Sequence, residues 1–384
     1  MNTCSLILIG ILILALSSSC TSSNSPGKTL DIILVDSVEL EMDDAERIKM
    51  TSAYIIDYGG SPCMLFWNWR GKEMLMFYTD GNNKGKEVQL TKLNSMLNQF
   101  HIGNSFCLQN ADTMFALSEQ QDSVICFDLQ GNVHQRWKLS GADSLAKNSY
   151  YLNAGLFYNL GAWDNKTRTL YLHNSFDPLT GTPAAFFRFP HFAVIHLQQE
   201  EAKLSAVFGQ FPATYTAQNY QGISLSNNGL ALFNGKLLLN FYNSDSLYEY
   251  NGSGKKHRVY AAASQHFNTD NTTFDLAHEA DRDYINEYSM TNNRYASLNA
   301  SNNSPYLFRI VDLKYERSND DGTLNNPGEN PWDIIVLDSN IRTLGSIAIP
   351  PKKRNNALFI PYRRGFWVAS LLNSKKIYFY EIKL

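Results

Sequence analysis

Residues 124–139 read VICFDLQGNVHQRWKL. A run of strand-forming residues at 124–129 is followed by a short polar turn at 130–132 and a second strand-like run at 133–139. Gly131 and Asn132 favour the positive backbone φ angles that tight hairpin turns require. Apolar residues occupy both alternating faces of the first run, which is typical of a strand covered on both sides. The stretch therefore predicts a β-hairpin inside a sheet that is packed between neighbours.

The same strand, turn and strand pattern recurs along the chain. Copies begin about 45 to 85 residues apart, which is within the range of a repeat with long connections. The last copy, residues 376–382, has no partner strand after it. The other copies are 74–78 with 87–90, 192–197 with 204–208, 247–250 with 257–260, and 333–337 with 343–349. The repeat predicts antiparallel sheets of about four strands each.

Burial on both faces favours a β-propeller, in which each blade lies between two others, over stacked β-sandwiches, which leave one face of each sheet in solvent. Residues 31–41 are strand-like but have no hairpin of their own. Pairing them with residues 376–382 would close the ring and cover two sheet edges. We therefore expect an all-β, six-bladed β-propeller closed by its N- and C-terminal strands, with seven blades or stacked β-sandwiches as alternatives.

A long interval between two copies keeps the seven-bladed alternative open. It contains the polar, Asn-rich stretch 264–304. We expect this stretch to be an insertion between blades, and a helix over residues 274–288 is the alternative.

The N-terminus has the features of an export signal. An apolar run at 6–16 is shorter than the roughly 20 residues that a transmembrane helix needs. Three serines then directly precede Cys20, an arrangement that resembles a bacterial lipoprotein signal in which the chain is cut before the cysteine and the cysteine is acylated. No Lys or Arg precedes the apolar run, and Leu16 is four residues before Cys20 rather than three. An ordinary cleaved signal peptide and an uncleaved anchor are therefore alternatives.

These features predict a domain order and a location. We expect a signal peptide at 1–19, a lipidated flexible tether at 20–28 and the propeller domain at 29–384. The protein is then a lipoprotein anchored to a membrane of the cell envelope, facing the periplasm or the cell exterior.

Composition limits the class of partner. A formal net charge of −3 argues against a nucleic-acid-binding surface. Hydrophobic residues make up 44% of the chain, which is enough for a full core. Cys63, Cys107 and Cys126 each lie in an apolar run, so we expect buried thiols, with a Cys107–Cys126 disulfide as the alternative.

Aromatic residues beside amide and cationic groups suggest a ligand-binding rim. Pro178, Gly181 and Pro183 interrupt any strand between residues 176 and 189, so this stretch is the expected exposed rim. The alternative is that these aromatic side chains fill the space between blades. The predicted rim residues are Trp67, Trp69, Trp163, Phe187, Arg188 and His191.

Catalytic and metal-binding patterns are weak. Residues 59–63 miss the second glycine of a serine-hydrolase nucleophile turn. The cluster of His and carboxylate residues at 278–283 lacks zinc-ligand spacing, so we expect no metal and no cofactor. An enzyme acting on polysaccharide or peptide is the alternative to a binding protein, with Asp57, Asp164 and Asp275 as candidate carboxylates facing a propeller tunnel.

A family resemblance covers nearly the whole chain. The Cys20 signal, the hairpin around 127–131, the segment 305–310 and the ending 376–384 resemble the uncharacterised six-bladed β-propeller lipoproteins of gut Bacteroidota. The resemblance implies fold and envelope location only. We therefore expect a non-enzymatic binding or scaffolding propeller for a glycan or a peptide.

Overall fold

The chain folds into β-sheets. The computed structural model describes residues 28–41, 53–68, 73–79, 84–100, 102–118, 122–141, 150–152, 161–176, 188–212, 215, 229–267, 270–278, 281–325, 329–370 and 376–384. Within these ranges two short α-helices accompany the strands, α1 (Thr91–Gln99) and α2 (Arg282–Thr291). No helix of the described ranges is long and apolar enough to cross a membrane. The architecture is all-β and propeller-like.

The first sheet contains both ends of the described chain. Its eight strands are β1 (Asp31–Glu41), β2 (Ala53–Tyr58), β3 (Ser61–Asn68), β4 (Glu73–Thr79), β5 (Lys84–Val88), β23 (Arg354–Tyr362), β24 (Gly365–Ser370) and β25 (Lys376–Lys383). They lie in the order β2-β3-β4-β5-β1-β25-β24-β23.

The second sheet contains the hairpin of residues 124–139. Its nine strands are β6 (Ile102–Asn110), β7 (Thr113–Ser118), β8 (Ser123–Phe127), β9 (Val133–Ser140), β10 (Tyr150–Leu152), β11 (Gly161–Asp164), β12 (Thr169–Phe176), β13 (Phe192–Leu197) and β14 (Glu201–Phe208). The order is β10-β12-β13-β14-β9-β8-β7-β6, and β11 pairs with β12 beside β10.

Two further sheets have four antiparallel strands each. The third sheet consists of β15 (Gly229–Phe233), β16 (Lys236–Asn240), β17 (Ser246–Tyr250) and β18 (Lys256–Ala261). The fourth consists of β19 (Arg294–Asn299), β20 (Leu307–Asp312), β21 (Trp332–Leu337) and β22 (Thr343–Ile349).

The prediction of a six-bladed propeller is wrong, because the described strands form four sheets rather than six. The two large sheets arise from parallel pairing, of residues 39–41 with 84–86 and of residues 201–203 with 138–140. The eight-stranded sheet also nearly closes on itself into a barrel, since its edge strands β2 and β23 lie near each other. The sheet count also overturns the seven-bladed alternative, and the propeller-like arrangement overturns the stacked sandwiches. A hairpin pattern in the sequence predicts antiparallel pairing between neighbouring strands. It does not predict short parallel pairing between strands that are distant in sequence.

The N- and C-terminal strands nevertheless pair with each other. β1 is antiparallel to β25, from Asp31 opposite Lys383 to Glu39 opposite Lys376. The pairing does not complete a separate blade, because the last three residues of β1 also pair in parallel with β5.

The core lies between the sheets, and β8 contributes to it on both faces. Ile125 and Phe127 pack in one apolar cluster with Leu93 of α1. Val124 and Cys126 pack in a second cluster, on the other face. Burial on both faces, inferred from the apolar pattern of this strand, is therefore present.

The three cysteines of the described ranges are buried free thiols, as expected, and the Cys107–Cys126 disulfide is not formed. Burial raises the pKa of Cys63 to about 11, of Cys107 to about 12 and of Cys126 to about 11. These thiols are therefore almost entirely protonated at neutral pH and react slowly.

The polar interval 264–304 contains more regular structure than an insertion loop. Helix α2 and strand β19 both lie within it. Asp281 caps the helix, because its Oδ1 accepts hydrogen bonds from the backbone N–H groups of Asp283 at 3.0 Å and Tyr284 at 3.1 Å.

Candidate functional site

A cavity of about 560 Å³, the central cavity, lies between the four sheets. Its wall includes residues of β2, β6, β11, β15, β19 and β23. Each of these strands contributes lining residues from its last positions or from the turn that follows it. The strand ends therefore meet around one opening, the central mouth, which is formed by Asp57, Asn110, residues 164–166, Gly235 and residues 300–303.

Two tight turns border the central mouth. β2 and β3 are joined by Gly59 (φ 61°) and Gly60 (φ 81°) alone, and β15 and β16 by Asn234 (φ 50°) and Gly235 (φ 74°). Positive φ at both central residues defines the type I′ hairpin turn, which glycine adopts without steric cost. Residues 59–63 thus belong to a hairpin and not to a nucleophile turn.

Hydrogen-bonding side chains of several kinds surround the central mouth. The Asp164 carboxylate accepts hydrogen bonds from the backbone N–H of Lys166 at 3.0 Å and from the Thr167 hydroxyl at 2.7 Å. Asp57, Asn110 and Lys166 are exposed. The opening therefore offers carboxylate and amide acceptors together with amide and ammonium donors.

Two aromatic residues, Tyr54 and Trp163, line the cavity beside these polar groups. Trp163 on β11 is half-buried, and its ring centroid lies 4.4 Å from that of Phe115. The ring therefore packs against the core, and the residue lines the cavity. A flat apolar surface among hydrogen-bonding groups is typical of a small-molecule site.

A family profile matches most of the sequence. The profile of the family described as "Domain of unknown function (DUF4221)" matches residues 99–345, more than half of the chain. The chain belongs to the DUF4221 family. No curated protein matches it significantly.

Solved structures resemble this DUF4221 protein over most of its length. A crystal structure of a DUF4221 family member from Bacteroides vulgatus superposes with a TM-score of 0.66 at 14% sequence identity, covering 92% of this chain and 99% of that chain. A Bacteroides fragilis protein described as exported superposes with a TM-score of 0.46 at 12% identity, covering 92% of this chain and 96% of that chain. The first likeness supports the fold alone.

The predicted rim of this DUF4221 protein is not one surface. Trp163 lines the central cavity, as a rim residue should. Arg188 is exposed but belongs to the connection between β12 and β13, away from the central mouth. Trp69 and Phe187 lie outside the described residues, and the backbone of Trp67 lies in β3, opposite Met74 of β4.

His191 is a core residue rather than a rim residue. It is 1% exposed, and its ring lies 4.3 Å from the ring of Phe211 and 4.9 Å from that of Phe189. Burial, with a smaller contribution from His173, holds the pKa of His191 well below its usual range. Burial also lowers the pKa of His173 to about 4. Both rings are therefore neutral at physiological pH.

The structure separates the three candidate carboxylates. Asp57 and Asp164 both line the central cavity. Asp275 lies in the connection between β18 and α2, where its carboxylate accepts a hydrogen bond from the backbone N–H of Ala277 at 3.0 Å. Sequence reasoning missed Asn110, Asn165, Lys166 and residues 301–303. Their common signal is a polar residue at the end of a strand or in the turn after it.

Among the described residues, no group of three His, Cys, Asp or Glu side chains could hold a metal ion. His278 lies between two carboxylates, 3.5 Å from Asp281 and 3.9 Å from Asp275. All three side chains are exposed on the connection before α2.

Proposed function

We propose that this DUF4221 protein is a binding protein that takes a glycan at the central mouth. The observation that carries the proposal is the exposed set of carboxylate, amide and ammonium groups beside the half-buried ring of Trp163. Sugar hydroxyl groups both donate and accept hydrogen bonds, and the apolar face of a sugar ring packs on an aromatic ring. The central mouth offers both kinds of contact.

A peptide ligand is less well supported. Peptide recognition by strand addition needs an exposed sheet edge with free backbone groups. The strands that line the central cavity are edge strands, but six of them meet there, and side chains at their ends rather than one continuous edge form the central mouth. Separate hydrogen-bonding side chains around an aromatic ring suit the hydroxyl groups of a sugar better than an extended backbone.

Binding should be tested with a panel of glucose-, xylose-, mannose- and N-acetylglucosamine-based oligosaccharides, with unrelated peptides as the comparison set. We expect at least one oligosaccharide to raise the melting temperature and to bind in calorimetry. Asp57→Ala should weaken that binding by about 10- to 100-fold, because a hydrogen bond to a charged group contributes about 1.5–3 kcal/mol.

Asp275→Ala is the matched control, since it removes an exposed carboxylate far from the central mouth. Its affinity should equal that of the wild type. Binding by peptides alone, or equal losses in Asp57→Ala and Asp275→Ala, would contradict a glycan site at the central mouth.

Glycoside hydrolysis is the second candidate, because Asp57 and Asp164 share the cavity. A glycosidase needs two carboxyl groups that are free to reach the glycosidic bond. Both oxygens of Asp164 are already engaged, by the backbone N–H of Lys166 and by the Thr167 hydroxyl. We therefore expect no new reducing ends when the bound oligosaccharide is incubated with the protein. Release of shorter products, lost in Asp57→Ala, would favour the enzyme.

The location belongs to the same proposal. The apolar run at 6–16 and the small residues before Cys20 support export and acylation of Cys20. Cys20→Ala should move the protein from the membrane fraction to the soluble fraction of the cell envelope. Retention of this variant in the membrane fraction would contradict acylation at Cys20.

A further inference from the structure

A second cavity lies beside the central one. This outer cavity has a volume of about 320 Å³ and lies between the hairpin β8–β9 and the strands β11 to β13. Trp163 and Asn165 line both cavities. The outer cavity is additionally lined by Phe115, Cys126, His134, Gln135, Trp137, Arg168 and Leu197. The two cavities are thus neighbours across the Trp163 ring.

The Trp163 ring is held rigidly between the two cavities. It packs against Phe115, whose ring centroid lies 6.4 Å from that of Trp137. Trp137 is buried, and its indole N–H donates a hydrogen bond to the Gln198 carbonyl at 2.7 Å. A pre-positioned aromatic ring loses little conformational entropy when a ligand packs on it.

Polar groups line the outer cavity on the side away from the centre. Arg168 is exposed in the turn after β11, where its φ of 51° directs the chain sharply back into β12. Its carbonyl accepts a hydrogen bond from the N–H of Leu197 at 3.0 Å, which fixes the turn against β13. His134 is exposed on β9, with its Nε2 3.4 Å from Asp128 Oδ2. The outer cavity therefore presents its own hydrogen-bond donors to a ligand.

Both cavities open on one face of the molecule. Asn165 and Arg168 belong to the turn that follows β11, and β11 ends at the central mouth. His134 and Gln135 are the second and third residues of β9, which directly follows the turn at 128–132. β9 is antiparallel to β6 through two intervening strands, so its start lies beside the end of β6 at the central mouth.

We propose that the central and outer cavities form one groove for an oligosaccharide chain, with one sugar ring on Trp163 and later units held by Arg168 and Gln135. This inference rests on the proposed function and adds chain length to it. A monosaccharide fills only part of the groove. Each unit that reaches the outer cavity adds contacts without a new loss of translational freedom.

The test measures affinity against chain length. The probes are the same four oligosaccharide series, from one to six units, titrated against the full protein. For a series that binds, the wild-type affinity should rise at least roughly tenfold between the shortest and the longest members and then level off.

Arg168→Ala should remove most of that rise while leaving the affinity for the shortest bound member unchanged. Trp163→Ala should weaken all lengths, because the ring lines both cavities. Arg188→Ala is the matched control, an exposed arginine in another connection, and should bind like the wild type. Melting curves establish that each variant is folded. If Trp163→Ala is not folded, Arg168→Ala still decides the test.

The outcomes separate the two proposals. Binding that is lost in Asp57→Ala but has no dependence on chain length, or an Arg168→Ala protein with the wild-type length dependence, overturns the groove and leaves the central site intact. Failure of all four series to bind overturns both.

Discussion

Arg309 shows how a single buried charge joins two sheets. It lies on β20 with 0% exposure. Its guanidinium donates hydrogen bonds to Asn240 Oδ1 at 2.7 Å, to the Ala262 carbonyl at 2.6 Å and to the Ser244 carbonyl, all in or next to the third sheet. Its carbon Cζ lies 3.5 Å from the ring centroid of Tyr295. Burial lowers its pKa to about 10, so it stays charged at pH 7.

Arg309→Met should therefore lower the free energy of unfolding by about 3–5 kcal/mol, because it removes the donor from two buried acceptors and one partly buried acceptor. Arg258→Met is the control, since Arg258 is exposed and its Cζ lies 5.0 Å from the ring centroid of Tyr260. It should cost less than about 1 kcal/mol. Urea denaturation at pH 7 measures both, and equal losses would show that the buried network contributes nothing specific.

The buried His191 and its half-buried neighbour His173 together predict sensitivity to acid. The ring of His173 lies 6.4 Å from that of His191, and the folded-state pKa of each is lowered by burial. Between the unfolded pKa near 6.5 and the folded pKa of about 4 for His173, the unfolded chain binds the proton that the folded chain rejects. Stability is therefore complete above about pH 6.5 and declines as the pH falls, by up to about 3 kcal/mol from His173 alone.

Denaturation measured from pH 7 to pH 4 should show this decline in the wild type and a shallower one in the double variant His173→Phe/His191→Phe. The comparison is between slopes, so a general loss of stability in the double variant does not obscure it. His257→Phe is the control, because His257 is exposed on β18. A slope unchanged in the double variant would mean that other groups carry the acid sensitivity.

The structure places Trp163 at the central cavity and His191 in the core. Both residues were proposed because aromatic residues lie near polar ones in the sequence. This pattern does not show whether a side chain faces the core or the solvent. His191 directly precedes β13, and its ring packs among Phe189, Phe211 and Phe241. An aromatic-rich run therefore marked core packing at this end and not an exposed rim. The polar residues of the central mouth lie far apart in sequence, and only the sheet arrangement brings them together.

At the scale of elements, β1 joins the two ends of the chain in one sheet. Val38 on this strand is 1% exposed and belongs to the core cluster that contains Phe379 of β25. Val35, on the same strand, is 54% exposed. Val38→Asp should cost more than about 3 kcal/mol, because it buries a carboxylate among apolar side chains, whereas Val35→Asp should change stability by less than about 0.5 kcal/mol.

Chemical denaturation and size-exclusion chromatography measure this difference. Val38→Asp should also aggregate, since loosening β1 uncovers the edges of β5 and β25. A stable, monomeric Val38→Asp protein would contradict a closing role for β1.

The hairpin of residues 124–139 makes a second prediction at this scale. Gly131 has φ +75°, and a Cβ there would lie 2.7 Å from the Leu93 backbone nitrogen in α1. Gly235 has φ +74° and open space around the same position. Both alanine substitutions share the cost of about 1 kcal/mol for a left-handed backbone, so Gly131→Ala should be more destabilising by the clash with α1. Equal melting temperatures would show that α1 moves away freely.

Element-scale prediction was accurate for hairpins and inaccurate for sheets. The run at 124–129 predicts a strand buried on both faces, and Ile125 and Val124 indeed pack in different clusters. The count of six blades failed because residues 39–41 and 201–203 pair in parallel with strands far away in sequence. Such contacts depend on how close neighbouring outer strands come after packing, which no local pattern encodes.

At the scale of the whole molecule, strand directions place the start of the described chain on the face of the central mouth. β23 and β25 run in the same direction, because each is antiparallel to β24. Pro361 near the end of β23 lines the central cavity, so Lys383 at the end of β25 lies on that face. Asp31 pairs with Lys383, and β1 therefore begins there as well. β18 runs antiparallel to β15, with two strands between them, so β18 ends on the face opposite the central mouth. Asp275 lies in the connection that follows β18 and therefore towards that opposite face.

If Cys20 carries the proposed lipid, the central mouth faces the membrane. Residues 21–27 can span at most about 25 Å when fully extended. A fluorophore on Asn110→Cys should then be quenched by labelled lipid headgroups in vesicles more strongly than one on Asp275→Cys. The raised pKa values of Cys63, Cys107 and Cys126, about 11 to 12, keep these thiols from reacting with the label at pH 7. Cys20→Ala should abolish quenching at both positions. Equal quenching at the two positions in the acylated protein would mean that the molecule tumbles on its tether, and a glycan would then reach the central mouth from any side.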